Sequence, residues 1–189
     1  MTIKESVRPG GRSARVQEAV HRAVRKLQAT KPREALSVPQ VAHEAGVTPS
    51  TIYRRWGNLA ELLADVSLER LRPDGEPPQT GSLAGDLQAW GEQYLDDMTS
   101  LPGQSMLSDI MASAERERRQ RCYHYSKDVM TCLRERAMRR GEAAPSVEAL
   151  VDGVIAPMTY RLLYDVDTAT SERLALWIAQ TLSHGDASD

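Results

Sequence analysis

The sequence predicts an all-α fold of about nine helices arranged in two modules, and three observations predict it. Apolar residues recur at helical spacing along nearly the whole chain, and no stretch alternates with the period of two that marks a half-buried strand. Capping residues, glycines and prolines punctuate the chain at intervals that start and stop helices. One turn-rich stretch, Arg72 to Gly81 (RPDGEPPQTG), separates a first module at 12–71 from a second at 72–189.

Residues 1–11 are polar and hold Pro9, Gly10 and Gly11, so they read as an arm without regular structure. Lys4, Arg8 and Arg12 make it basic. Such an arm either reaches into a minor groove or is a plain tail, and the residues do not choose between the two. Ser13 is placed to cap a first helix whose stripe is Val16, Val20, Ala23, Val24 and Leu27. Arg15, like Arg12, lies where a phosphate contact is expected.

The stretch from Ser37 to Leu71 has the most specific pattern. Ser37 with Gln40 forms a candidate capping box, Pro39 is tolerated in the first turn, and Val38, Val41, Ala42 and Ala45 share a face. Gly46 is suited to the left-handed stop. Thr48 then caps and Pro49 opens a short helix ending at Trp56, with Ile52 and Trp56 as its apolar side. Its outer side carries Ser50, Thr51, Tyr53, Arg54 and Arg55. Asn58 and Glu61 form a second capping box for a helix lined by Leu59, Leu62, Leu63, Val66 and Leu71. A short helix with hydroxyls and cations on one side and two apolar anchors on the other fits the width of a DNA major groove.

Charge is divided in the same way. Residues 1–60 hold eleven Lys or Arg against four Glu, a net +7, and the rest hold thirteen against twenty-two acids, a net −9. A basic end is the footprint of phosphate binding, and an acidic remainder is repelled by it. Only Cys122 and Cys132 are present, no apolar run reaches a spanning length, and the opening MTIKESVRPGGR lacks a signal peptide's apolar core. A cytoplasmic protein without membrane attachment is therefore the expectation.

In the second module Ser82 caps a fifth helix bearing Leu83, Leu87, Trp90, Tyr94, Leu95 and Met98, which is expected to end before Pro102-Gly103. A sixth runs from about Gln104 to Ala114. The seventh begins in the charged run Glu115–Arg121 and stops at Gly141. Pro145-Ser146 opens the eighth, where Gly153 and Pro157 predict a bend, and Ser171 opens the ninth. Met and aromatic residues on helices five to eight, namely Trp90, Tyr94, Met98, Met106, Met111, Tyr125 and Met158, either fill the core or line an adaptable pocket for an apolar ligand. Wide apolar faces on helices eight and nine, including Val154, Leu162, Leu174, Trp177 and Ile178, call for a partner surface.

Chemistry is sparse elsewhere. His21, His43, His124 and His184 lack metal-ligand spacing, and no phosphate loop, nucleophile elbow or paired-acid motif occurs. Neither a metal, a cofactor nor an enzymatic activity is expected.

The run Val41-Ala42-His43-Glu44-Ala45-Gly46-Val47-Thr48-Pro49-Ser50-Thr51-Ile52-Tyr53-Arg54-Arg55-Trp56, followed by Asn58, Glu61 and Leu62-Leu63, resembles the TetR family of bacterial transcriptional regulators over the first third of the chain. The resemblance implies a homodimeric regulator, most often a repressor, bound to a palindromic double-stranded DNA operator. It implies DNA contacts from Arg12, Arg15, Ser37, Val38, Thr48, Pro49, Ser50, Thr51, Tyr53, Arg54 and Arg55. It also implies an effector cavity in the second domain, release of the operator when helix four tilts, and dimerisation by helices eight and nine as a four-helix bundle. The segment 156–163 is similar to a Pro-aromatic-Arg element of one branch, which gives Arg161 a structural or pocket-polar role. One departure stands out: Leu59 occupies the place where the family usually has a lysine. Two other classes remain open, a small-molecule binding protein with a vestigial helix-turn-helix and a helical enzyme using Tyr, His and Glu in the same cavity.

Overall fold

Apolar stripes set the helices, and side-chain caps form at only some starts: Asn58, Ser82, Ser100 and Ser146 accept from amides, whereas Ser13, expected to cap the first helix, lies inside it. The computed structural model describes residues 11–72 and 75–185, with the backbone alone at residues 12, 184 and 185. The basic arm before Gly11, the Arg12 side chain, His184 and the last four residues lie outside what is described. Among the described residues there are helices and no strands. The helices are α1 (Arg12–Gln28), α2 (Val38–Ala45), α3 (Pro49–Trp56), α4 (Leu59–Leu71), α5 (Leu83–Thr99), α6 (Leu101–Ala112), α7 (Arg116–Arg139), α8 (147–164) and α9 (Ser171–Gly185).

Two compact units divide between Val66 and Ser67, inside α4 and a little before the turn-rich stretch. The physical reason lies in the last turns of α4. Ser67 is buried and donates to Asp109 Oδ2 at 3.2 Å, and Leu71 packs against the core of the second unit.

In the first unit, Val20, Ala23, Val24 and Leu27 of α1 pack on Leu36, Val38, Val41, Ala42, Ile52, Trp56, Leu62, Leu63 and Val66. Gly46 ends α2 at φ 67, a left-handed conformation that a Cβ disfavours. It lets the Val47 amide turn back to the Ala42 carbonyl at 3.0 Å and the chain restart at Pro49. The Ser37–Gln40 box is not formed: Ser37 has extended N-cap geometry but its side chain makes no cap bond, and Gln40 Oε1 is buried without a partner. In the second box Asn58 Oδ1 accepts from the Glu61 amide at 3.0 Å.

In the second unit α9 packs chiefly on α5, and both enclose Leu87, Leu95, Met98, Leu133, Leu150, Val154, Met158, Leu162, Leu174 and Ile178. Helix α6 starts three residues earlier than the sequence predicts. Ser100 Oγ accepts from the Gly103 amide at 3.1 Å, and Pro102 falls in the first turn, where no helical acceptor is lost. In α8, Val147–Leu150 continues into a π-helical turn, Val151–Ile155, and then into Ala156–Tyr164. The bend expected near Pro157 takes this form. The proline ring would crowd the Gly153 carbonyl, and a turn closed by Ala156 N–H to Val151 O is wider by one residue. Gly153 itself permits the approach of α9, since a Cβ there would stand 2.0 Å from Thr181 Oγ1.

Candidate nucleic-acid interface and ligand cleft

Helix α3 turns Ile52 and Trp56 inward, both buried, and by the 3.6-residue period its opposite side is left outside. Thr48, Pro49, Ser50, Tyr53 and Arg54 are exposed and Thr51 is half-buried. Thr48 Oγ1 does not cap an amide; it lies 2.9 Å from Ser50 Oγ and 3.0 Å from Thr51 Oγ1, so three hydroxyls cluster at the helix start. Tyr53 is 49 % exposed. Arg54 has no ion-pair or hydrogen-bond partner among the described residues.

The geometry separates two arginines that look alike in the sequence. Arg55, expected on phosphate, is turned back onto α1: Nη1 donates to the Ser13 carbonyl at 2.9 Å, Nη2 to Gln17 Oε1 at 3.0 Å, and the guanidinium lies 5.3 Å from the centre of the Trp56 ring. It braces α3. Val38, also expected at DNA, is 4 % exposed and belongs to the core, because the face it shares with Val41 and Ala42 is the inward one. Ser37 is half-buried, and Arg15 is exposed with its Nε donating to the Gly11 carbonyl at 3.2 Å.

A polar network that the sequence does not announce fixes α3 from behind. Asp65 Oδ2 on α4 accepts from Trp56 Nε1 at 2.9 Å and lies 3.1 Å from Nε2 of the buried His21. Gln17 Nε2 approaches the same oxygen at 3.5 Å. Leu59 packs against this core as an apolar residue, so no cation stands at that position.

In the second unit a cleft of about 580 Å³ opens between the end of α4, the strap 75–78, α5 and the start of α6. Trp90, Tyr94, Met98 and Met106 line it, and Tyr125 joins Trp90 and Tyr94 around an adjoining hollow of about 110 Å³. Trp90 and Tyr94 stack with ring centres 5.3 Å apart and planes 23° from parallel. Burial, with a smaller contribution from neighbouring Cys122, pushes the Tyr94 phenol well above its usual range, so it stays protonated. Three expected pocket residues lie elsewhere. Met111 is exposed, Met158 is fully enclosed in the core, and Arg161 pairs with Asp165 at 2.8 Å, one helical turn on. Sequence patterning missed the polar lining, Arg70, Arg72, Glu76, Gln93, Asp97 and Ser100. Arg70 and Arg72, flanking the last apolar residue of α4, were its available signal.

The strap is held from below. Buried Arg136 donates through Nη1 to the carbonyls of Pro77 at 3.1 Å and Pro78 at 2.7 Å. Fully buried Asp86 accepts from the Thr80 amide at 2.6 Å and hydroxyl at 2.9 Å, and from Arg140 at 3.1 Å. Burial alone would raise the Asp86 carboxyl, but the Thr80 and Arg140 donors outweigh it and hold the group below the usual carboxylate range.

Of the five residues expected at a dimer interface, Val154, Leu162, Leu174 and Ile178 are buried in the protomer's own core and Trp177 is half-buried. The broad apolar faces of α8 and α9 are mostly covered by α5 and α7. What stays exposed is Tyr160, Tyr164 and Leu176, with Ala156, Ala175 and Ala179 beside them. Among the described residues no cluster of His, Cys, Asp and Glu suits a metal, and no helix is long and apolar enough to cross a membrane.

Helices α2 and α3, joined by the Gly46 turn and packed on α1 and the first part of α4, form a helix-turn-helix. The chain belongs to the TetR family: residues 22–66 match the model described as bacterial regulatory proteins, tetR family, and residues 77–181 match the tetracyclin repressor-like C-terminal domain. It is 25% identical over 171 residues to the uncharacterized HTH-type transcriptional regulator YdeS of Bacillus subtilis, covering 86% of each chain. Over 59 residues it is 41% identical to an uncharacterized HTH-type transcriptional regulator of Mycobacterium bovis, a match that covers 31% of this chain and 29% of that one. The crystal structure of a TetR transcriptional regulator from Rhodococcus sp. RHA1 shares the fold, with a TM-score of 0.69, 12% identity, and coverage of 91% and 98% of the two chains. The family is one of regulators, not enzymes.

Proposed function

We propose that the protein is a homodimeric repressor that binds a palindromic operator through two copies of α3 and leaves it when a small molecule occupies the cleft of the second unit. The observation that carries this is the outward face of α3. Hydroxyls of Thr48, Ser50 and Thr51 and the amides of the first turn suit phosphate or base edges, Tyr53 offers a ring and a hydroxyl, and Arg54 is a cation with no partner among the described residues. Two copies about 34–36 Å apart meet successive turns of the groove. The exposed Tyr160, Tyr164 and Leu176, rimmed by small residues, are the surface through which α8 and α9 pair with a second copy.

Helix α4 supports the release step. Its first half carries Asp65, which holds Trp56 of the reading helix, and its last residues line the cleft. Occupation of the cleft displaces α4 and alters the spacing of the two reading helices. Selection of bound sites from random duplex DNA, followed by gel shift and light scattering, tests the proposal. The expected result is an inverted repeat bound by a dimer with a steep salt dependence, and a Tyr160→Glu/Leu176→Glu variant that is monomeric and binds weakly. Salt-independent binding, or a wild-type monomer on a single half-site, would sink it.

A further inference from the structure

We infer that the cleft is built for a planar aromatic carboxylate; this rests on the effector reading above and specifies its ligand. Two features of the lining carry the inference, one of shape and one of charge.

The shape is set by an aromatic stack at the side of the cleft. Trp90 and Tyr94, stacked one turn apart on α5, are flanked by Leu71, Met98, Met106 and Val129. Stacked rings accept another planar π system along their face, whereas a flexible acyl chain would lose its rotamer freedom against them. Neither the Trp90 indole N–H nor the Tyr94 hydroxyl has a hydrogen-bond partner among the described residues, although Tyr94 is buried deeply enough to stay protonated throughout the working range. Both remain available to a ring substituent.

The charge is one negative group short. Four charged residues lie on the cleft, Arg70, Arg72, Glu76 and Asp97. Glu76 lies 3.6 Å from Arg136 and is already compensated. Asp97 is the one remaining carboxylate of the lining and offsets one of its two arginine charges. The second arginine charge has no counterpart in the lining, and neither Arg70 nor Arg72 has an ion-pair partner among the described residues. A guanidinium fork matches a carboxylate in two parallel hydrogen bonds, and a pair of forks at the mouth of an apolar slot selects an anion whose body is buried in that slot.

The test is calorimetric titration of the full-length protein with 1-naphthoate, 1-naphthalenemethanol, 1-naphthylmethylamine and decanoate, with gel shift of an operator fragment alongside. Naphthoate is expected to bind about tenfold or more tightly than the other three and to release the fragment. Arg70→Gln/Arg72→Gln is expected to reduce naphthoate to the affinity of the alcohol, and Trp90→Ala to abolish binding of both. If the ammonium probe binds tightest and releases the DNA, the effector reading stands and the anion assignment is overturned. A naphthoate advantage that survives in the double variant overturns the assignment as well. If no probe binds while the operator is still retained, both fall.

Discussion

The indole of Trp56, the last residue of the reading helix, donates to Asp65 at 2.9 Å, and the same carboxylate oxygen meets His21 at 3.1 Å. Three helices are thereby joined at one acceptor. Burying these polar groups is favourable only while they remain paired, and removal of one partner leaves the network short of a hydrogen bond. Trp56→Phe keeps the ring and removes the donor; Asp65→Ala removes the acceptor from both Trp56 and His21. Each is expected to cost about 1–3 kcal/mol of unfolding free energy in urea titrations. A double-mutant cycle should show coupling of about 1 kcal/mol or more. Strict additivity would mean that the network is geometric coincidence.

Arg54 and Arg55 are adjacent and chemically identical, yet the structure gives them different tasks. Arg55 is bound to Ser13, Gln17 and the Trp56 ring, whereas Arg54 has no partner among the described residues. Arg54→Ala is expected to weaken DNA binding by about 1–3 kcal/mol and to lower the slope of log affinity against log salt by about 1. Arg55→Ala should leave that slope nearly unchanged and instead lower the unfolding midpoint, since α3 loses its brace to α1. Equal slopes for the two variants would show that the bonds to α1 give way to phosphate on the operator.

These two arginines also mark where sequence stops being informative. Several helix boundaries were legible because they carry their own local chemistry: Gly46 with its left-handed φ, Ser82 and Asn58 with their caps, Pro49 at a first turn. The class and the reading helix followed from that order of residues. Which partner covers an apolar residue is not local. Val154, Leu162, Leu174 and Ile178 have the period of an interface and the burial of a core, because α5 and α7 reach them first. Met158 and Met111 share a residue type but one is enclosed and the other exposed. The polar half of the cleft was invisible for a different reason: Arg70, Arg72 and Asp97 are surface-type residues brought to one opening by helix ends far apart in the chain.

Acid should loosen the strap over the cleft before it unfolds the reading unit. Asp86 is wholly buried and accepts from Thr80 and Arg140; although burial opposes its charge, these donors hold its folded value below the ordinary carboxylate value of about 4. Glu142, accepting from the Leu83 amide and paired with the same Arg140, is lowered too. A depressed folded value means that the carboxylates contribute stability above pH of about 4, and that it is lost as pH falls from there through the folded values. Asp86→Asn removes the charge at every pH. It is expected to lower stability on the order of 2 kcal/mol at neutral pH, with the gap between wild type and variant closing as the medium is acidified below about pH 4. Urea unfolding followed across pH 3 to 8 measures this, and a gap that stays constant over that range would show that the Thr80 and Arg140 contacts do not favour the ionised form.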